Sequence, residues 1–293
     1  MSFSQYYSIA DERICLDAPE PLRQTEPFLP FRAQPGPVSR TVRYCTADSL
    51  SLPEGPVVYQ TMFFTVHNTE DGLIKMYRDP KEGGRPYAVR RVMNRGSLVE
   101  IRYRPEDQRF FCETGNAFYH AALEEWMLRC GGVILHASLV EVNGCGILFS
   151  GPAGVGKSTQ AALWQEEMGA ELINGDRVIL RRPGPCWRGY GSPYAGSSRC
   201  WRNASAPASA VVLLEQGAEN QLRAVGPLDA FRGVWSGLTL NSWNPVFVDW
   251  ASRMTQSLIA SVPVYRLTCR PDAGAVQLLA RALEERGLSV GSR

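Results

Sequence analysis

Residues 151–158 read Gly-Pro-Ala-Gly-Val-Gly-Lys-Ser, which satisfies the pattern Gly151-x-x-x-x-Gly156-Lys157-Ser158. A loop with glycines at this spacing can curl its backbone around a phosphate and turn successive N–H groups inward. The chemistry expected is nucleotide or polyphosphate binding. Gly151, Ala153, Gly154, Val155, Gly156 and Thr159 form the cradle, Lys157 reaches the outer phosphates, and the Ser158 hydroxyl holds a Mg²⁺ that bridges them.

Such a loop has to be held between a strand and a helix. The apolar run Ile147, Leu148, Phe149 supplies the strand, and residues 159–168, closed by Gly169, supply the helix, whose positive end adds to the anion site. Asn143-Gly144 is a strong two-residue hairpin signal, so the loop hangs off the second strand of a hairpin whose first strand, residues 132–142, carries His136. Before it, residues 116–130 show helical spacing of apolar side chains and stop at Gly131-Gly132; His120 and Trp126 read as packing residues there. After the loop helix, residues 170–180 form two apolar pieces with Asp176 at the turn between them. Residues 183–209, rich in Gly, Ser, Pro, Trp and Arg, read as a mobile loop or lid. A buried strand is expected at 210–215, helices at 227–235 and 244–261 with Asn244 as cap and Pro245 at the first position, a strand at 262–268 and a helix at 272–286.

The front of the chain differs. Six prolines between Pro19 and Pro37 exclude a long helix, and residues 41–113 alternate apolar and polar residues with turn breaks at 68–72 and 79–84, as antiparallel strands do. The expected organisation is a β-rich N-terminal domain, residues 1–115, and a nucleotide-binding domain, residues 116–293; the fold class is α/β (α+β).

With 293 residues and 44% hydrophobic content the chain can bury one large core or two modest ones, and two domains are the natural expectation. A net charge of +2 argues against nucleic acid or an acidic membrane as partner. The 8 cysteines include no Cys-x-x-Cys pair and read as reduced, mostly buried thiols. The three histidines, His67, His120 and His136, lack metal-ligand spacing, which argues against zinc. With no signal peptide and no long apolar run, the expected location is the cytoplasm.

A phosphate loop does not specify a reaction, so the accompanying carboxylates decide. The base-reading Asn-Lys-x-Asp of GTPases is absent, and Glu215, at the end of an apolar strand, is a candidate metal-supporting acid. Ile134-Leu135-His136, the Asn143-Gly144 hairpin, the loop and Leu172-Ile173-Asn174-Gly175-Asp176-Arg177-Val178 come in an order and spacing that resembles the HPr kinase/phosphorylase family and its HPr-kinase-like relatives over residues 130–180. Residues 1–115 show no match to the front domain of full HPr kinases. The resemblance implies a mixed sheet, shared with ATP-type phosphoenolpyruvate carboxykinases, and ATP- and Mg²⁺-dependent phosphoryl transfer to a hydroxyl, most readily a serine of a protein or peptide. It implies Asp176 as the group that orients or deprotonates the acceptor and sides with Ser158 toward the metal, with His136 bonded to Asp176 or to the transferred group. Relatives carry two adjacent acids where this chain has Gly175-Asp176. One carboxylate then serves both roles, with help from Asn174 or Glu215, or the chain is a weak catalyst. Residues 190–199 fall where the family binds its acceptor, and Arg199 there could meet phosphate. The alternatives are a small-molecule kinase, for example of free serine, and a non-enzymatic nucleotide sensor; a homo-oligomer is compatible with each.

Overall fold

The computed structural model describes residues 2–291. It is a mixed α/β structure whose two sheets are each of mixed direction, with a β-rich N-terminal part. The chain divides into two compact units between Leu123 and Glu124.

The first unit is a nine-stranded sheet. Most neighbours are antiparallel, as the alternation predicts, with one exception. The strand Arg40–Thr46 runs parallel to both its neighbours, Glu12–Ala18 and Leu98–Tyr103. Local alternation specifies which face is buried, not the direction of a neighbour brought in from a distance.

The helix expected over 116–130 is broken. It runs as Thr114–Ala121 and Leu123–Arg129, with Ala122 between them in the left-handed region at φ 54°. The physical reason lies on a distant strand. The buried Arg40 guanidinium donates to Ala121 O at 2.8 Å and Ala122 O at 3.2 Å, receiving carbonyls that a continuous helix would have used itself. Downstream polarity is also satisfied inside this unit. His120 is 3% exposed, donates from Nδ1 to Asn116 O at 2.6 Å and accepts the Tyr87 hydroxyl at Nε2, 2.8 Å away. Loss of solvation pushes its pKa down to about 3, against the Asn116 carbonyl, so the ring is neutral. It is a packing residue, as its helical position suggested.

In the second unit the strand Gly132–Val142 is central. Asn143 and Gly144, at φ 49° and 82°, turn it into Cys145–Ser150 in the expected hairpin, with Ala137 opposite Ser150. On its other side it pairs with Glu171–Asn174 and then with Arg177–Arg181, His136 lying opposite Arg177. Residues 175–176 are therefore a bulge in one interrupted strand, not the reversing turn that Asn-Gly-Asp suggested. The strand Ser205–Gln216 lies parallel to Cys145–Ser150 and to Val264–Cys269, and its first residues pair with Arg188–Tyr190.

Helices cover the sheet's faces because adjacent strand residues point opposite ways. Leu148, Val211 and Leu213 join one apolar cluster with Ala230, Val234, Phe247 and Leu258 of the helices Pro227–Ser236 and Pro245–Ser261. Ile147, Phe149 and Val212 join another with Ala161 and Trp164 of Lys157–Met168 and Val276 and Leu279 of Ala273–Glu284. Asn244 Oδ1 caps its helix by accepting from Val246 N at 3.1 Å and Phe247 N at 3.4 Å.

Two sequence expectations fail here. Residues 183–209 do not form one free loop: 188–190 and 205–209 are strand, Trp187, Tyr190, Ser192 and Ala195 are buried, and Ser192 Oγ donates to Arg177 O at 2.5 Å. Their glycines and small polar residues serve close packing rather than freedom. Among the described residues all eight cysteines are free thiols, but only Cys15 and Cys145 are fully buried, while Cys112 and Cys186 are exposed. No helix among the described residues is long and apolar enough to cross a membrane.

Candidate functional site

The glycine loop leaves the sheet at Ser150 and enters the helix Lys157–Met168. Gly154 and Gly156 take φ of 77° and 113°, which side chains resist, and the second sets the direction from which the helix begins. Gln160 N reaches back to Gly156 O, so the amides of residues 157–159 have no partner one turn earlier in their own helix. Gln216 Nε2 donates to Gly154 O at 3.1 Å and ties the loop's tip to the neighbouring strand end. Lys157 is 8% exposed and donates from Nζ to Gly151 O and Pro152 O, each at 3.0 Å. Burial lowers its pKa; Asp176 works in the opposite direction and Arg177 reinforces the burial. Ser158 and Thr159 are exposed on the helix's first turn, and Ala153 and Gly154 on the loop.

The central strand fastens the other half of the site. Its register places Ser150 on one side and the 175–176 bulge on the other, two strand spacings or about 10 Å apart. Ser150 Oγ donates to His136 O at 3.0 Å, Ser138 Oγ to Gly175 O at 3.1 Å, and Ala137 N to Asp176 O at 3.0 Å. Asn174 Oδ1 accepts from Asp176 N at 3.0 Å and Arg177 N at 2.9 Å, an Asx turn that shapes the bulge. His136 Nδ1 lies 2.8 Å from Asp176 Oδ1 and 3.1 Å from Asp176 O. Both neighbours are acceptors, so Nδ1 carries a proton. The His136 and Asp176 side chains are 25% and 27% exposed, open enough to meet a substrate.

Arg177 and Thr239 complete this cluster. Arg177 Nε stands 3.7 Å from Asp176 Oδ2, and its Nη1 donates to Thr239 Oγ1 at 2.6 Å. The segment bearing Thr239 is bound to the central strand by His136 N to Gly237 O at 2.7 Å and Thr239 N to Ile134 O at 2.8 Å. Arg177 reads from sequence as a solvated turn residue or, less readily, a phosphate clamp, and no local signal marks Thr239.

Glu215 is placed differently from a free metal-supporting acid. It pairs with Arg266 and accepts from Thr268 Oγ1 at 3.3 Å, so neighbours on the adjacent strand already match its charge. Glu215 and Arg266 line a cleft of about 460 Å³ bounded by residues 151–155, Leu213, Leu214, Gln216, Gly233 and Ser236. Its volume suits a nucleotide-sized ligand.

The resemblance to kinases with paired acids meets a packing fact at Gly175. A Cβ there would stand 2.1 Å from Ser198 Oγ and 2.4 Å from Ser198 Cβ. The volume that a first acid would need is already filled by the segment around the short turn Gly196–Ser198. Among the described residues no cluster of three or more His, Cys, Asp or Glu side chains is built to hold a metal ion. A Mg²⁺ beside Ser158 and Asp176 would therefore have to arrive mainly on phosphate oxygens and water.

No family model matches the chain, and no curated protein sequence does. Among solved structures it is similar to the HPr(Ser) kinase/phosphatase from Coxiella burnetii at 13% identity, over 53% of this chain and 89% of that one, with a TM-score of 0.30. Overlap at that level is too low to carry an assignment, so the site stands on its own geometry.

Proposed function

We propose that the second unit, residues 124–293, is a P-loop nucleotide-binding domain that transfers a phosphoryl group from Mg²⁺-bound ATP to a hydroxyl, the acceptor being a serine of a protein or peptide. The observation that carries this reading is the pairing of two half-sites. The glycine loop presents Lys157 at a helix start, and the central strand holds the foot of that loop, Ser150, two strand spacings from the bulge that bears the Asp176 carboxylate, which His136 pairs with. Phosphoryl transfer asks chiefly for positioning and for neutralisation of charge on the moving group.

The loop amides and Lys157 would bind the β- and γ-phosphates, while the cleft walled by Glu215 and Arg266 would take the remainder of the nucleotide. Mg²⁺ brought with the substrate would neutralise phosphate charge beside Ser158 and Asp176. Asp176 would align the acceptor hydroxyl and receive its proton. His136 would act through Nδ1 to fix the carboxylate. Arg177, set by Thr239, adds a second cation on the Asp176 side. A small-molecule acceptor such as free serine uses the same groups.

One observation favours a second reading, a nucleotide sensor without transfer. Ser198 occupies the volume of the missing first acid, leaving a single carboxylate for two tasks. The deciding experiment is Mg²⁺-dependent transfer from labelled ATP, with serine-containing peptides, free serine and cell extract as acceptors, beside Asp176→Asn. Label on an acceptor with the unsubstituted protein alone supports the kinase. Saturable ATP binding with no transfer to any acceptor supports the sensor, and no ATP binding removes both.

A further inference from the structure

The segment that fills the space at Gly175 also brings its backbone against Asp176. Arg177 N donates to Tyr194 O at 3.2 Å, and Asn174 Nδ2 to Ser192 O at 3.0 Å, so residues 192–194 are anchored on the bulge itself. Two residues on, Gly196 stands at φ 54° with its α-carbon against the carboxyl group. A Cβ there would lie 3.0 Å from Asp176 Cγ and 3.3 Å from Oδ2. The next two residues are serines, and they are not equivalent. Ser198 Oγ donates to Ala195 O at 2.6 Å and accepts from Cys200 N at 3.3 Å, which commits it to holding the turn. Ser197 is exposed, and its hydroxyl makes no hydrogen bond among the described residues.

We propose that Ser197 is a phosphorylation site of this protein, the acceptor being in the same chain as the catalytic Asp176. The inference rests on the phosphotransfer reading and names one substrate of that site. An acceptor serine has to be an accessible hydroxyl without a competing partner, on backbone that can come against the base without a side chain in the way. Gly196 gives the close approach, the anchored residues 192–194 limit the loop's wandering, and Ser197 supplies the hydroxyl. In the step, Ser197 Oγ attacks the γ-phosphorus of ATP, the bond from that phosphorus to the β,γ-bridging oxygen breaks, and ADP leaves. The hydroxyl proton passes to the Asp176 carboxylate and then to water; nothing is oxidised or reduced.

The full chain, dephosphorylated beforehand, is incubated with Mg²⁺ and γ-labelled ATP over a tenfold range of protein concentration, and the phosphopeptide is located by mass spectrometry. Nucleotide binding and transfer to an added serine peptide are measured on the same preparation. The expected result is one phosphoryl group on Ser197, with a fractional rate independent of protein concentration. Ser197→Ala removes it, Ser198→Ala and Ser197→Thr keep label on this turn, and Asp176→Asn slows incorporation about a hundredfold. Transfer to the peptide with Ser197 unlabelled overturns the proposal and leaves the kinase reading intact. Label placed elsewhere in the chain, or a fractional rate that rises with concentration, overturns it too. ATP binding with transfer to neither acceptor overturns the kinase reading and this inference together.

Discussion

If the second unit transfers a phosphoryl group as proposed, binding falls to Lys157 and transfer to Asp176. Lys157 donates to the loop carbonyls Gly151 O and Pro152 O, whereas the Asp176 carboxylate pairs with His136. Lys157→Ala is expected to abolish ATP binding by calorimetric titration. Asp176→Asn should keep binding within a few-fold and lose transfer by about 10²–10⁴, the range for removing a positioned acid or base. His136→Ala should lower kcat with little change in KM for ATP. His136→Asn, whose amide can still donate to the carboxylate, should recover part of the loss if the ring acts by positioning Asp176. Unchanged kcat in His136→Ala would refute that role.

Among the elements, two packing contacts override what local sequence favours. Ala122 sits at φ 54° between two short helices because Arg40 holds the adjoining carbonyls. Ala122→Gly should therefore stabilise the protein by about 0.5–1 kcal/mol in urea unfolding. Arg40→Ala, which strips the donors from buried carbonyls, should cost about 2–4 kcal/mol. Gly175 is fixed by the turn Gly196–Ser198 rather than by its own dihedral angles. Gly175→Asp is expected to lose about 1–3 kcal/mol from overpacking and to gain no activity. Adding Ser198→Gly should return much of that stability, a non-additive pair that a double-mutant cycle would measure.

For the molecule as a whole, acid and nucleotide should act on different units. In the fold His120 titrates at about 3, because burial disfavours the charged ring, and near 6.5 when unfolded, so the unfolded chain takes up the proton first as pH falls. The stability it contributes is complete above about pH 6.5 and is lost as pH falls toward 3. Between pH 7 and pH 4 the loss attributable to His120 is about 3 kcal/mol at 1.36 kcal/mol per unit, and His120→Phe should flatten the acid limb of the stability curve by that order. Mg²⁺-ATP at a hundredfold excess over Kd should raise stability by about 2.7 kcal/mol, with hydrogen-exchange protection gathered in residues 124–293. Lys157→Ala should show no such gain.

The sequence by itself determined the elements whose reasons are local: the Asn143-Gly144 hairpin, the glycine loop between strand and helix, the Asn244 cap, and the β-rich front of the chain. Each depends on residues within a few positions, where dihedral preference and apolar period decide. Only the tertiary structure decided the parallel placement of Arg40–Thr46, the helix break at Ala122, the bulge at 175–176 and the packed state of residues 183–209. It also set Thr239 on Arg177 and Ser198 in the space beside Gly175. These depend on partners far along the chain, and a strand's pattern records that a face is buried without recording which distant residue buries it.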